Sequence, residues 1–287
     1  MLIRIASHAI LRPAMPAFRS SSTHIFLRHA LYNSRVSPVH KFHATSFLSA
    51  THRAASHTRR DWRPPGTFQR VTRRFNTIPP NYIIFGILGI NGVVFAAWSY
   101  VQLFQGRDYR IGTPPPSARW LAYWLQDNFL NSYENLRRGR FWTLVTSSFS
   151  HADPGHALLN GLTFWFLAPV ALRVLGNAQF LVLYLGSGAF ASLSSLAWNK
   201  QPNYNSHGAS GAVYALASFF AFAAPNARFL LFFVVPMPAW ACIGAIACFD
   251  AYNAVTRRFS TLDSAGHVGG LTAGALYWLL RTRFRLR

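Results

Sequence analysis

His207-Gly208-Ala209-Ser210-Gly211-Ala212-Val213-Tyr214 stands at the head of an apolar run that continues to Ala224, with no charged residue between Lys200 and Arg228. A hydroxyl between glycines at the mouth of such a segment has two readings. In a helix embedded in lipid, Gly, Ala and Ser are the ordinary small residues where helices touch. Alternatively the serine is a nucleophile, its oxygen uncrowded and the backbone N–H groups around it free to face a developing oxyanion. Gly-x-Ser-Gly alone does not choose between them. The surrounding chain must.

Of the 287 residues, 51% are hydrophobic and only 12% charged, which sets the chain apart from ordinary soluble domains. Lys and Arg number 28 against 7 Asp and Glu, and residues 1–80 hold 13 of the basic residues with a single acid, Asp61. Basic excess alone would admit a nucleic-acid partner. Attached to a body of long apolar runs, it points instead to a targeting segment, and no nucleic acid is expected. Residues 1–60 carry eight Arg, one Lys, seven His and no acid, the composition of a mitochondrial presequence. A disordered basic tail is the other reading, and both exclude the segment from the fold. Pro64-Pro65-Gly66 and Pro79-Pro80 punctuate its end. We take 1–76 as presequence and disordered basic linker and 77–287 as the folded domain. Cys242 and Cys248 lie in one apolar run and read as small buried hydrophobes, not a disulfide or metal pair.

Tyr82–Phe104 is 23 uncharged residues, long enough for a bilayer core. Its Gly86, Gly89 and Gly92 recur at spacing three, so one flank admits close approach by another helix. After Pro114-Pro115-Pro116, Ser117 to Leu136 reads as an amphipathic helix at the interface. Trp120, Leu121, Trp124, Leu125 and Phe129 fall on one half of its wheel. Five further apolar runs follow, near Pro154–Leu175, Ala178–Trp198, His207–Ala224, Phe229–Phe249 and Gly266–Arg281. The expected fold is therefore all-α: a polytopic membrane bundle of six transmembrane helices with an interfacial helix in the first loop. The run from His207 is short and barely crosses the hydrocarbon, which leaves a wet depression above its start. Pro236 and Pro238 predict a kink in their run. Six spans bring both termini to one side. The basic tail with Arg281, Arg283, Arg285 and Arg287 puts that side inside, the matrix for a mitochondrial inner-membrane protein.

Four histidines lie beyond residue 80: His151, His156, His207 and His267. Counting spans, all four and Ser210 fall at outer ends. Imidazoles near lipid are costly unless they face a cavity. His156 and Asn160, four apart, share a helix face and can donate toward one point, as an oxyanion site requires; interhelical hydrogen bonding would explain the same pair. Ser210 and Tyr214 share a face by the same spacing. His267, Gly270 and Gly274 form a stripe that would let the sixth span press on the fourth, as a Ser–His hydrogen bond between helices needs.

These residues resemble the rhomboid family of intramembrane serine proteases. The resemblance covers roughly Tyr82 to Arg281. It rests on Gly208-Ala209-Ser210-Gly211 with Tyr214, on Gly266-His267-Val268-Gly269-Gly270 followed by Gly274, and on His156 and Asn160 preceded by His151. It implies that Ser210 is the nucleophile and His267 its base. Asn160, His156 and the Ser210 backbone N–H would form the oxyanion hole, and Tyr214 would pack against the His267 ring. His151, Gly208, Gly211, Gly270 and Gly274 would support them. Two positions depart from the pattern: Trp142-Thr143 where many members carry Trp-Arg, and Leu172 where many carry Glu. The presequence points to the mitochondrial branch, which commonly has an extra span ahead of the six; residues 1–80 contain no run long enough for one.

The resemblance implies an intramembrane serine endopeptidase without metal or cofactor. Its partners would be the bilayer and the transmembrane segments of substrate proteins, cut near the outer interface. No acid is obviously placed to orient His267, and Asp263 lies in a loop. His-Glu-x-x-His, which a zinc protease would carry, is absent. Asp153, Asp250 and Asp263 fall near span ends, which argues against an aspartyl type. A transporter would carry charge deep in a span or an internal repeat, and neither is apparent. The alternative is a rhomboid-like protein that binds transmembrane helices without cutting them; intact Ser210 and His267 argue against it.

Overall fold

The computed structural model describes residues 67–105, 114–231, 234–258 and 262–284, all within the unit Pro65–Arg287. Most of the presequence and linker, together with Arg285 and Arg287, lies outside the described residues. The end of that linker does not: Thr67–Asn76, expected to be disordered, is helix α1. Its C-terminus is pinned by a distant segment. The Asn177 amide donates to the carbonyls of Phe75 (2.9 Å) and Ile78 (2.7 Å), and the Ala178 N–H donates to Asn76 Oδ1 (3.1 Å). Local composition cannot reveal an anchor a hundred residues away.

Helix α2, Pro80–Gln105, opens on a proline, which the first turn tolerates because its N–H would be unpaired anyway. Ile84, Ile87, Val94, Trp98 and Val101 are buried along one face, while Val93 and Leu103 are 72% and 75% exposed. An apolar helix with most of its surface outside the protein suits lipid better than water. Pro80–Phe104 and Pro154–Trp198 are the two helices among the described residues long and apolar enough to cross a membrane by length and composition.

Helix α3, Pro116–Phe129, packs Ala122 and Leu125 against Val94, Trp98 and Val101 and leaves Trp120, Tyr123 and Trp124 exposed. The helix expected to run to Leu136 stops there. Strand β1, Asn131–Ser132, pairs antiparallel with β2, Asn205–Ser206. The reason is the fully buried Asn131, whose amide donates to the Ser192 carbonyl and to Ser206 Oγ. Ser132 then caps α4, Tyr133–Arg137, by accepting the Asn135 N–H.

Helix α5, Thr143–Thr146, and a 3-10 turn, Ser147–Phe149, lead to α6, Pro154–Trp198. Asp153 caps α6, its carboxylate accepting the His156 N–H at 2.7 Å. The two runs expected as separate spans are continuous except for a break at Gly176, with φ 74° and ψ 168°, which glycine adopts without strain. Helix α7, Ser210–Ala223, buries ten of its 14 residues, so it is the central helix of the bundle.

Phe229–Phe249 is not one helix. Strands β3, Arg228–Leu231, and β4, Val235–Pro238, form an antiparallel pair, and α8 begins only at Ala239 and runs to Thr256. Pro236 sits in β4 and Pro238 immediately precedes α8, so neither kinks a helix; a residue without an N–H is tolerated at strand edges and helix starts. The shift carries Asp250 from a span end into the body of α8. Helix α9, Ser264–Phe284, completes the bundle.

Candidate active site

Ser210 is the first residue of α7, where the leading N–H groups have no partner within the helix and favour negative charge. The chain enters through Gly208, whose φ of +136° disfavours any side chain. A Cβ there would stand 2.6 Å from His156 Cε1, so the His156 ring lies against the backbone just before Ser210. The Gly208 N–H donates to the Ser147 carbonyl (2.9 Å) and the Ala209 N–H to His151 Nε2 (3.1 Å). His151 therefore presents a bare Nε2. Burial, with His156 and His207 nearby, lowers its pKa to about 3. Burial and His156 lower that of His207 to about 4. Both rings are neutral near pH 7.

His267 lies in the first turn of α9, with Nε2 3.0 Å from Ser210 Oγ. Two glycines allow this approach: a Cβ on Gly270 or Gly274 would stand 2.2 Å from the Gly211 or Ala215 carbonyl oxygen. Gly211 serves the other flank, since its Cβ would meet Ala191 Cβ at 2.4 Å. The Tyr214 ring meets that of His267 edge-on, with centroids 4.4 Å apart.

One acid does reach the ring, contrary to the sequence reading. Asp250 Oδ1 is 3.0 Å from His267 Nδ1, and Asp250 is 1% exposed. Asp263 has other work: its carboxylate accepts from the Ser195 hydroxyl (2.7 Å) and from the Gly266 N–H at the head of α9 (2.9 Å). An acid in an apolar helix was the available signal. It was hidden because the run was read ten residues too early.

Asn160 is buried on α6, and its amide donates to the His156 carbonyl one turn earlier (2.9 Å). That uses one of two amide hydrogens. A cavity of about 170 Å³ lined by Asn91, His151, Asn160 and Tyr184 opens beside it but does not reach Ser210. The cavity at Ser210 is smaller, about 20 Å³, and is lined by Ser147, Ser192, Ser206 and His207, enough room for about one water. The two unusual positions are internal. Thr143 is fully buried with its hydroxyl on the Arg140 carbonyl (2.8 Å), and Leu172 joins the main apolar core.

A mainly helical bundle thus brings a serine and a histidine within hydrogen-bond distance between two glycine-packed helices. The family model for the rhomboid domain matches residues 138–284, and the chain belongs to the rhomboid family. It is 31% identical over 221 residues to Rhomboid protein 1, mitochondrial, of Saccharomyces cerevisiae, covering 75% of this chain and 55% of that protein. It is 28% identical over 211 residues to RHOMBOID-like protein 12, mitochondrial, of Arabidopsis thaliana, covering 65% and 62%. Against Rhomboid protease GluP of Bacillus subtilis the identity is 27% over 139 residues, covering 48% and 26%. The chain thus matches little more than half the length of the two mitochondrial relatives.

Proposed function

We propose that the chain is an intramembrane serine endopeptidase of the mitochondrial inner membrane that cuts transmembrane helices near their outer ends. The observation that carries this reading is the 3.0 Å approach of Ser210 Oγ and His267 Nε2 at the start of a central helix. As Oγ bonds to the scissile carbonyl carbon, its proton passes to Nε2. The oxyanion lies against the Ser210 N–H, with Asn160 and His156 as further donors. Collapse breaks the C–N bond, the imidazolium protonates the leaving amine, and an ester remains on Ser210. Water adds to that ester, giving one proton to His267; the second collapse returns that proton to Ser210 and frees the carboxylic acid, which loses its own proton to solvent. Tyr214 holds the imidazole ring throughout.

The spans on this reading are α2, the two parts of α6 on either side of Gly176, α7, α8 and α9, with α3 at the interface. Helix α7, at 14 residues, is about 21 Å long at 1.5 Å per residue. That shortness sinks Ser210 below the outer surface. The basic N-terminal segment and the arginines after α9 support both termini on the inner side, and the mitochondrial relatives support reading that side as the matrix. A helical substrate must unwind locally, because its carbonyls are already hydrogen-bonded. A Gly-Ala pair near the outer end therefore favours cleavage, and a Leu-rich segment resists it.

The test is reconstitution in vesicles with two single-pass substrates that differ only in that pair. Native protein is expected to cut the Gly-Ala substrate faster, and Ser210→Ala to cut neither. Cleavage by folded Ser210→Ala protein would end the protease reading. Native protein that binds the helices without cutting them would support the non-cleaving alternative.

A further inference from the structure

We propose that Asp250 is a positioning residue for His267: its carboxylate accepts the Nδ1–H, which leaves Nε2 bare toward Ser210. This rests on the protease reading above and adds a third member to the pair. The helices supply the geometry. Asp250 lies six residues before the end of α8 and His267 three residues after the start of α9, so the two meet across the helical hairpin. The contact is 3.0 Å and sealed, with Asp250 1% and His267 9% exposed.

Burying a carboxylate in an apolar helix is expensive, and packing α8 on α9 does not require one. Among the described residues Asp250 Oδ2 has no hydrogen-bond partner, so His267 is the contact that answers the acid. The titratable groups facing Asp250 are His267 of α9 and Tyr214 of α7, with Cys242 of α8 also beside Tyr214. Asp263 does not substitute for it, because its oxygens are held by Ser195 and Gly266.

The chemistry follows from the single proton of a neutral imidazole. If that proton sits on Nε2, His267 has no lone pair for the Ser210 hydroxyl. A carboxylate at Nδ1 selects the other tautomer. When Nε2 takes the serine proton, the imidazolium forms beside a negative charge in a low-dielectric site, where the interaction is strong. In this arrangement the proton travels only between Ser210, His267 and the leaving amine.

The test uses the full chain in vesicles. Asp250→Asn is expected to lower kcat on the order of a hundredfold or more with little change in KM. Asp250→Glu, which keeps the carboxylate, is expected to restore part of kcat. A folded Asp250→Asn protein with native kcat, or a folded Asp250→Glu protein no more active than Asp250→Asn, would overturn the proposal. A second measurement needs no Asp250 variant: nitrogen-15 NMR of histidine-labelled native protein, with His267 assigned by His267→Ala. The expected state near neutral pH carries the proton on Nδ1, and a proton on Nε2 would overturn the proposal. Should the native chain cleave nothing, the protease reading fails while this spectrum still decides how Asp250 holds the ring.

Discussion

A methyl group on Gly270 would stand 2.2 Å from the carbonyl oxygen of Gly211. The two helices that carry Ser210 and His267 therefore touch backbone to backbone. The hydrogen bond between those side chains depends on there being no Cβ in the seam. Gly270→Ala is predicted to force α9 away from α7, costing about 1–3 kcal/mol of stability and abolishing reaction with a serine-directed probe. Gly86→Ala, which meets nothing within 4 Å, is predicted to leave both unchanged. Thermal unfolding in detergent and probe labelling of the two variants check this, and a native labelling rate in Gly270→Ala would contradict it.

Gly208 carries a second constraint. Its φ of +136° and the 2.6 Å approach of a Cβ to His156 Cε1 penalise Ala both in the backbone and at the ring. Gly208→Ala is predicted to cost about 1–3 kcal/mol and to slow labelling of Ser210, because the displaced ring belongs to the proposed oxyanion site. Native kinetics in that variant would remove His156 from the site.

How far these features were legible in the sequence depends on the kind of signal. The stripe His267, Gly270, Gly274 and the Ser210–Tyr214 pair could be read because helical spacing and side-chain chemistry pointed to the same face. Asp250 could not be placed. Phe229, Leu230 and Val235 of the β3–β4 pair are as apolar as the helix that follows, so hydropathy merged strand and helix into one run. The usable clue was Pro236-Met237-Pro238, two prolines too close for a helix interior and well placed to precede one. The end of α3 at Phe129 and the order in α1 depend on Asn131 and Asn177, whose partners lie far away in the chain. No local pattern carries that information.

Asn160 tests the oxyanion assignment. In a serine protease, loss of one oxyanion-hole donor costs roughly 2.7–4 kcal/mol. Asn160→Ala is predicted to lower kcat by less than that full amount, since the Ser210 N–H and His156 remain, with KM little changed. Vesicle cleavage kinetics of the folded variant measure it, and unchanged kcat would exclude Asn160 from the site.

The neutral histidines set an acid limit. His151 and His207 have pKa values of about 3 and about 4 in the folded protein against an ordinary 6.5. Between 6.5 and those values the unfolded chain binds more protons, so stability falls as pH falls through that window and is independent of these groups above it. The thermal midpoint in detergent is predicted to drop from about pH 6.5 downward, and His151→Gln, which keeps an acceptor for the Ala209 N–H, to flatten the slope. A midpoint constant across the window in the native protein would contradict this.

Covalent labelling of the native protein in membranes with a fluorophosphonate, located by peptide mass spectrometry, tests most directly whether Ser210 is a nucleophile activated by His267. An adduct is expected on Ser210 and none in Ser210→Ala, with labelling of His267→Ala slower by a factor on the order of a hundred or more. Undiminished labelling of a folded Ser210→Ala protein, or an adduct on another serine with Ser210 unmodified, would contradict it.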